Sequence, residues 1–250
     1  MCRHLAYVGP ARALGDLLVR PESSLVRQSW EPRRQGHGTV NADGFGVGWY
    51  AEGDPVPARY RRTGPVWADG SFTDLCRVVR SDGVLAAVRD ATDGCAGGEA
   101  AVAPFGAGNW LFSHNGAVTG WPASVADVAA RTLSTRELLD VEARTDAALA
   151  WALVLHRLRC GASLAAAVAQ VAAALTRAAP GSRLNFLLTD GRAVAGTAVG
   201  ESLWVRSRPR GSLTVASEPY DTDQGWRQVP EGCVVAGDAA HAEILGLEDL

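Results

Sequence analysis

The residues whose types and spacing could do chemistry together are Cys2, Arg89, Asn115 with Gly116, and Asp146. Cys2 has a small side chain and follows Met1 directly, so removal of Met1 during synthesis is expected. Cys2 would then carry a thiol of ordinary pKa about 8.5 and a free α-amine of about 7.7–8.0. Such an amine is substantially neutral near neutral pH and can take the thiol proton, directly or through a water, so nucleophile and base would share one residue. Position alone says little, because a cysteine there is commonly accidental or an apolar filler. The remaining groups add a substrate. The Arg89 guanidinium can fork onto a carboxylate. Asp146 can accept from an ammonium. Both lie at element ends, so truncating either is expected to leave the fold intact. The Asn115 side-chain amide and the Gly116 N–H can receive an oxyanion. A γ-glutamyl group has the matching parts: an α-carboxylate, an α-ammonium and a γ-carbonyl open to thiol attack. The plainer alternatives are a structural ion pair for Arg89, a first-turn helix acid for Asp146 and a hairpin corner at Asn115-Gly116.

These residues need elements to hold them. Residues 5–8 form an apolar run closed by Gly9-Pro10, which predicts a buried strand beginning almost at the terminus. Such a strand would keep Cys2 from fraying. In residues 44–49, glycine alternates with Phe45, Val47 and Trp49, a strand whose bare face admits a second backbone or a ligand. No helix follows it, so a phosphate-cradling loop is excluded. Residues 58–62 read as its partner strand, 71–80 as a helix, 84–89 as a strand ending in Arg89, and 94–109 as a loop. Residues 110–113 predict a strand ending in His114-Asn115-Gly116. Helices are expected over 123–131, 135–141, 146–159 and 163–178, with Thr145 and Ser163 as N-caps of the last two. Short strands follow over 183–189, 193–199, 203–208, 213–217, 227–229 and 233–236, and the tail from 239 has no clear pattern. Strands, then helices, then strands suit two antiparallel sheets flanked by helices better than a wound parallel sheet. One domain spanning 2–250 is expected, since no linker or repeat breaks the pattern.

Bulk properties narrow the function. Lys plus Arg number 24 against 27 Asp plus Glu, a net charge of −3, which gives no basic surface for nucleic acid or an anionic membrane. The cysteines, Cys2, Cys76, Cys95, Cys160 and Cys233, include no C-x-x-C pair, so neither a zinc site nor a disulfide framework is expected, and a reducing cytoplasm fits. No signal-peptide pattern or 18-residue apolar stretch is present. No metal or other cofactor is implied.

The terminal Cys2, Val88-Arg89-x-x-Thr92, His114-Asn115-Gly116 and Thr145-Asp146 resemble, in order and spacing, the class II glutamine amidotransferases among the N-terminal nucleophile hydrolases. The downstream segment from Ala216 to Asp221 resembles them too. A narrower resemblance, over residues 35–50, is to the γ-glutamyl hydrolases of ergothioneine biosynthesis, which remove glutamate from γ-glutamyl-hercynylcysteine sulfoxide. The resemblance implies an α+β fold, a four-layer αββα sandwich. It implies Cys2, Asn115 and Gly116 as catalytic residues and Arg89, Thr92 and Asp146 as binders of a small γ-glutamyl substrate. Departures from the family pattern are Ala87 and Asp93 where histidine is common, and Ala147-Ala148 after the aspartate. Two other functions stay open: a stand-alone glutaminase subunit feeding ammonia to a synthase, and a non-catalytic γ-glutamyl-binding protein. No synthase domain is visible and no obligatory synthase partner is expected. The loop with Arg33, Arg34 and His37, and the segment 218–221, are candidates to meet the leaving group.

Overall fold

The computed structural model describes residues 2–91, 94–208 and 211–250. Thr92 and Asp93 therefore lie outside the described residues.

The strands in chain order are β1 (Arg3–Ala13), β2 (Gly44–Ala51), β3 (Asp54–Arg62), β4 (Arg80–Arg89), β5 (Phe105–Ala107), β6 (Trp110–Ala117), β7 (Arg183–Thr189), β8 (Ala193–Ala198), β9 (Trp204–Arg208), β10 (Ser212–Ala216), β11 (Arg227–Gln228), β12 (Cys233–Asp238) and β13 (Ala242–Gly246). They form two sheets, ordered β11-β9-β10-β1-β4-β2-β3 and β13-β12-β8-β7-β6-β5. The pairings are antiparallel. The helices are α1 (Leu14–Leu18), α2 (Leu25–Gln28), α3 (Gly70–Val78), α4 (Ala126–Thr132), α5 (Thr135–Leu139), α6 (Asp146–Arg159) and α7 (Leu164–Ala178). None is long and apolar enough to cross a membrane.

Side-chain alternation along each strand sorts the core into three apolar layers. Leu5, Tyr7, Phe45, Val84, Ala86 and Val88 pack outward against Leu14, Leu17 and Leu18 of α1, Leu25 of α2 and Phe72 and Cys76 of α3. Ala6, Val8 and Leu85 meet Leu111, Leu187 and Val235 between the sheets. Phe112, Leu184, Phe186 and Leu188 pack against Trp151 and Val154 of α6 and Val168 and Ala172 of α7. This is the αββα sandwich. Each fully buried Leu or Phe contributes about 1.5–3 kcal/mol, so all three layers are needed to hold the sheets in one relative setting.

The glycines of β2 are bare because another backbone crosses there. A Cβ on Gly46 would stand 2.3 Å from the Ala103 carbonyl oxygen, and one on Gly48 would stand 2.6 Å from Leu111 Cδ1. Several boundaries differ from the sequence reading. β1 continues through Gly9-Pro10, with a register shift between Val8 and Arg12. The helix expected over 71–80 ends at Val78, and Arg80 opens β4. The loop 94–109 contains β5, and the tail forms β13 against β12. Asn115-Gly116 is no hairpin corner. Both lie inside β6, opposite Asn185 and Leu184 of β7.

Candidate active site

Cys2 immediately precedes β1, the strand in the middle of its sheet, flanked by β10 and β4. Arg3 pairs with Val88, so one step further back Cys2 stands beside Arg89, the last residue of β4. Its Sγ lies 4.0 Å from the Asp90 carbonyl oxygen. Burial pushes the thiol above its ordinary value, and the backbone at Asp90 and the Arg89 charge oppose that shift. A raised thiol is not a preformed thiolate, so the nucleophile needs a base.

The facing sheet is in step with β1. His4 Nδ1 lies 3.2 Å from Ser113 Oγ, and Ala6 shares an apolar cluster with Leu111. Alternate residues of β1 thus run against alternate residues of β6 in reverse order, Ala6 near Leu111 and His4 with Ser113; continued one step, this register points Cys2 toward Asn115. Asn115 is fully buried, and its Nδ2 donates to Ser217 Oγ at 3.4 Å. Gly116 turns to the other face. Its φ of 152° lies in the region open to glycine, and a Cβ there would fall 1.9 Å from the Arg183 carbonyl oxygen. His114 Nε2 donates to that same carbonyl at 2.9 Å. His114 therefore orients the strand and has its Nε2 proton committed.

Cys2, Arg89, Gly116 and Asp146 line one narrow cleft with Cys95, His114 and Thr145. Asn115 is not among the lining residues; its side chain lies behind, between the sheets. The cleft has an empty volume of about 480 Å³, counted to include its open mouth. Arg89 is 9% exposed, and its Nη2 donates to the Ala96 carbonyl at 3.0 Å. Asp146 opens α6, where the Thr145 hydroxyl caps Ala148 N–H at 3.0 Å. Its Oδ2 accepts from Val118 N–H at 2.9 Å and its Oδ1 from Ala147 N–H at 2.8 Å. Oδ1 also accepts from Cys95 Sγ at 3.7 Å, so Oδ2 is the oxygen that keeps a further lone pair for a ligand. Asp146 is thus structural as well as available, contrary to the expectation that truncating it leaves the fold untouched.

Two features escaped the sequence reading. Cys95 lines the cleft, its Sγ 3.7 Å from Asp146 Oδ1. Arg3 is wholly buried, donating from Nε to the Cys2 carbonyl at 2.9 Å and pairing through Nη2 with Glu201 at 3.4 Å. A charge inside an otherwise apolar strand was the visible signal for Arg3.

The leaving-side candidates behave differently from one another. The Glu218 carboxylate is fully buried and accepts from the backbone N–H of Arg33 at 3.1 and 3.2 Å and of Arg34 at 2.8 Å. Tyr220 is buried too, and Asp221 is bound to Arg206 and Trp226. Glu218 thus braces the loop from below, while Tyr220 and Asp221 are held by Arg206. Arg34 stacks on Trp204 at 4.7 Å, and His37 reaches Glu201 at 3.4 Å from an exposed position. The loop itself, with Arg33, Arg34 and His37, stays on the solvent side.

A family model described as glutamine amidotransferases class-II matches residues 21–223. The chain belongs to the class II glutamine amidotransferases. It is 39% identical over 248 residues to a γ-glutamyl-hercynylcysteine sulfoxide hydrolase of Mycolicibacterium smegmatis, covering 99% of this chain and 100% of that protein. A Mycobacterium tuberculosis protein of the same name is 38% identical over 234 residues, 92% of this chain and 90% of its own. Among solved structures, a glutamine aminotransferase class-II domain protein from Silicibacter pomeroyi superposes with a TM-score of 0.70 at 24% identity, over 98% of this chain and 99% of that one. The Bacillus subtilis glutamine phosphoribosylpyrophosphate amidotransferase matches 98% of this chain with 49% of its own, at 15% identity and a TM-score of 0.67. Those structures share the amidotransferase fold, an outer helical layer on each of two stacked sheets.

Proposed function

We propose that this class II amidotransferase-type chain hydrolyses the γ-glutamyl amide bond of γ-glutamyl-hercynylcysteine sulfoxide, releasing glutamate and hercynylcysteine sulfoxide. The observation that carries the substrate is the near-full-length similarity, at 38–39% identity, to hydrolases of that name. The cleft geometry supports the chemistry. Cys2, freed of Met1, attacks the γ-carbonyl while its own α-amine takes the thiol proton, since burial leaves the thiol protonated and in need of a base. The tetrahedral oxyanion is received by Gly116 N–H and by Asn115 Nδ2, toward which the sheet register points Cys2. The protonated amine then gives its proton to the departing amine nitrogen. Water, activated by the same amine, attacks the thioester and releases glutamate. Arg89 binds the α-carboxylate, Asp146 the α-ammonium, and Thr92 joins them by the family motif. The reaction needs no cofactor, metal or synthase partner, and a reducing cytoplasm suits its thiol.

The narrowness of the cleft divides recognition in two. A narrow cleft lined by Cys2, Arg89, Gly116 and Asp146 suits a linear glutamyl head better than an imidazole-bearing amine. The leaving group must therefore lie outside, along the loop carrying Arg33, Arg34 and His37, where its carboxylate meets positive charge. The head-group contacts are the same for free glutamine, so the loop decides specificity. The test compares kcat/KM for glutamine and for the conjugate on the purified chain. The conjugate is expected to be strongly preferred. A clear preference for glutamine would overturn the assignment and favour a glutaminase subunit, and binding of either without turnover would favour a binding protein.

A further inference from the structure

The segment after β10 lies outside the cleft, yet one of its residues touches both Asn115 and the strand that follows Cys2. Ser217 is the first residue past β10 and is fully buried. Its N–H donates to the His4 carbonyl at 3.0 Å, and its Oγ accepts from His4 N–H at 3.0 Å. Its own carbonyl accepts from Ser202 Oγ at 2.7 Å. The same Oγ accepts from Asn115 Nδ2 at 3.4 Å. Asn115 Oδ1 has no partner among the described residues, so Ser217 supplies the hydrogen bond that fixes the carboxamide. A primary amide nitrogen carries two hydrogens. Holding one on Ser217 aims the other, and prevents the carboxamide from turning its oxygen toward a developing negative charge.

We propose that Ser217 is the positioning residue of the oxyanion hole. Its hydroxyl sets the Asn115 carboxamide against the strand that bears Cys2, and so fixes the distance and angle between nucleophile and oxyanion donor. The two sheets meet here across an interface that is otherwise apolar further in, at Ala6 and Leu111. Apolar packing is non-directional and leaves small sliding motions open. A hydrogen bond with one partner on β1 and another on β6 closes them at the end where the chemistry occurs. The ladder ahead of it is also locked, because Ser217 and His4 exchange both backbone and hydroxyl bonds. Preorganised donors act because they need no rearrangement as charge develops, and Ser217 supplies that rigidity without touching substrate.

This inference rests on the reading of Asn115 as an oxyanion donor, and the experiment separates the two. Turnover of the γ-glutamyl conjugate is measured for Asn115→Ala, Ser217→Ala and the double variant, with Ser217→Cys as a volume-matched variant carrying a weaker acceptor. Ser217→Ala is expected to lower kcat about tenfold with KM unchanged, in line with loss of one hydrogen bond, and Ser217→Cys to lower it less. Asn115→Ala is expected to lower kcat on the order of 10²-fold. In the Asn115→Ala background, Ser217→Ala should cost nothing further, because the group it positions is gone. Equal fold losses in both backgrounds would mean that Ser217 acts on the fold or on β1 alone and would overturn the proposal. So would an unchanged kcat in Ser217→Ala or Ser217→Cys. If Asn115→Ala itself keeps full turnover, the oxyanion reading falls and takes this proposal with it.

Discussion

Replacing Asp146 by asparagine separates its two duties. In the structure Oδ1 accepts from Ala147 N–H and Cys95 Sγ, while Oδ2 accepts from Val118 N–H and keeps a lone pair for a substrate ammonium. The substitution removes the negative charge and turns one oxygen into a donor. A hydrogen bond to a charged group contributes about 1.5–3 kcal/mol. At about 1.36 kcal/mol per factor of ten, losing it should lower kcat/KM by roughly 10- to 150-fold. The new carboxamide would also present an N–H toward a buried N–H, or leave that of Val118 unpaired, at a cost of about 1–3 kcal/mol in stability. Activity and stability losses are thus both expected, and stability alone must not be read as the cause. The assay uses two substrates: the γ-glutamyl amide and its glutaryl counterpart, identical but without the α-amine. If Asp146 acts through the ammonium, the substitution lowers kcat/KM for the first and leaves that for the second nearly unchanged. An equal factor on both would refute the assignment and leave Asp146 as the start of α6 and the anchor of Val118.

Adding one uncleaved residue ahead of Cys2 should abolish turnover while leaving the thiol open to alkylation, because the amine would be an amide; full activity in a form verified by mass would remove the amine as base. Gly116→Ala should lose at least the 10²–10³-fold typical of a missing oxyanion donor and lower Tm, since its Cβ would stand 1.9 Å from the Arg183 carbonyl oxygen and β6 would have to part from β7; wild-type turnover would refute that close fit. Burial, with the Arg3 and His114 charges adding to it, holds His4 well below the usual imidazole range. The unfolded imidazole binds a proton near pH 6.5 while the folded one resists, so the protein loses stability as pH falls below about 6.5. Urea unfolding of wild type and His4→Asn at pH 7.5 and 5.5 should show a smaller loss in the variant; identical pH dependence would mean that other groups govern it.

How much was legible in the sequence follows from how local each signal is. Apolar alternation and caps are local, so the strands near residues 5–8, 44–49 and 84–89, the Thr145 and Ser163 caps, and a strand–helix–strand order suited to two antiparallel sheets could all be read from the sequence, while the four-layer αββα sandwich was implied by the family resemblance. Cys2, Arg89, Gly116 and Asp146 could be singled out from residue type and the family motifs, and the structure brings the four to one cleft. Turn chemistry misled at Asn115-Gly116. That dipeptide favours a hairpin in isolation, but β7 lies alongside and extends β6 through it. The tail carried too weak a pattern to be recognised as β13 until β12 offered it a partner.

What only the tertiary structure decided is which groups share one space. The register in which the two sheets stack, marked by the shared cluster of Ala6 and Leu111 and the polar contact of His4 and Ser113, points Cys2 toward Asn115. No spacing along the chain encodes that. The same holds for Arg3, whose guanidinium turns inward to the Cys2 carbonyl and Glu201, and for Glu218, which reads as a candidate to meet the leaving group but is buried under the backbone of Arg33 and Arg34. A charged side chain can be buried only where its partners converge, and convergence from residues 185 positions apart along the chain is a property of the packed layers, not of the local sequence.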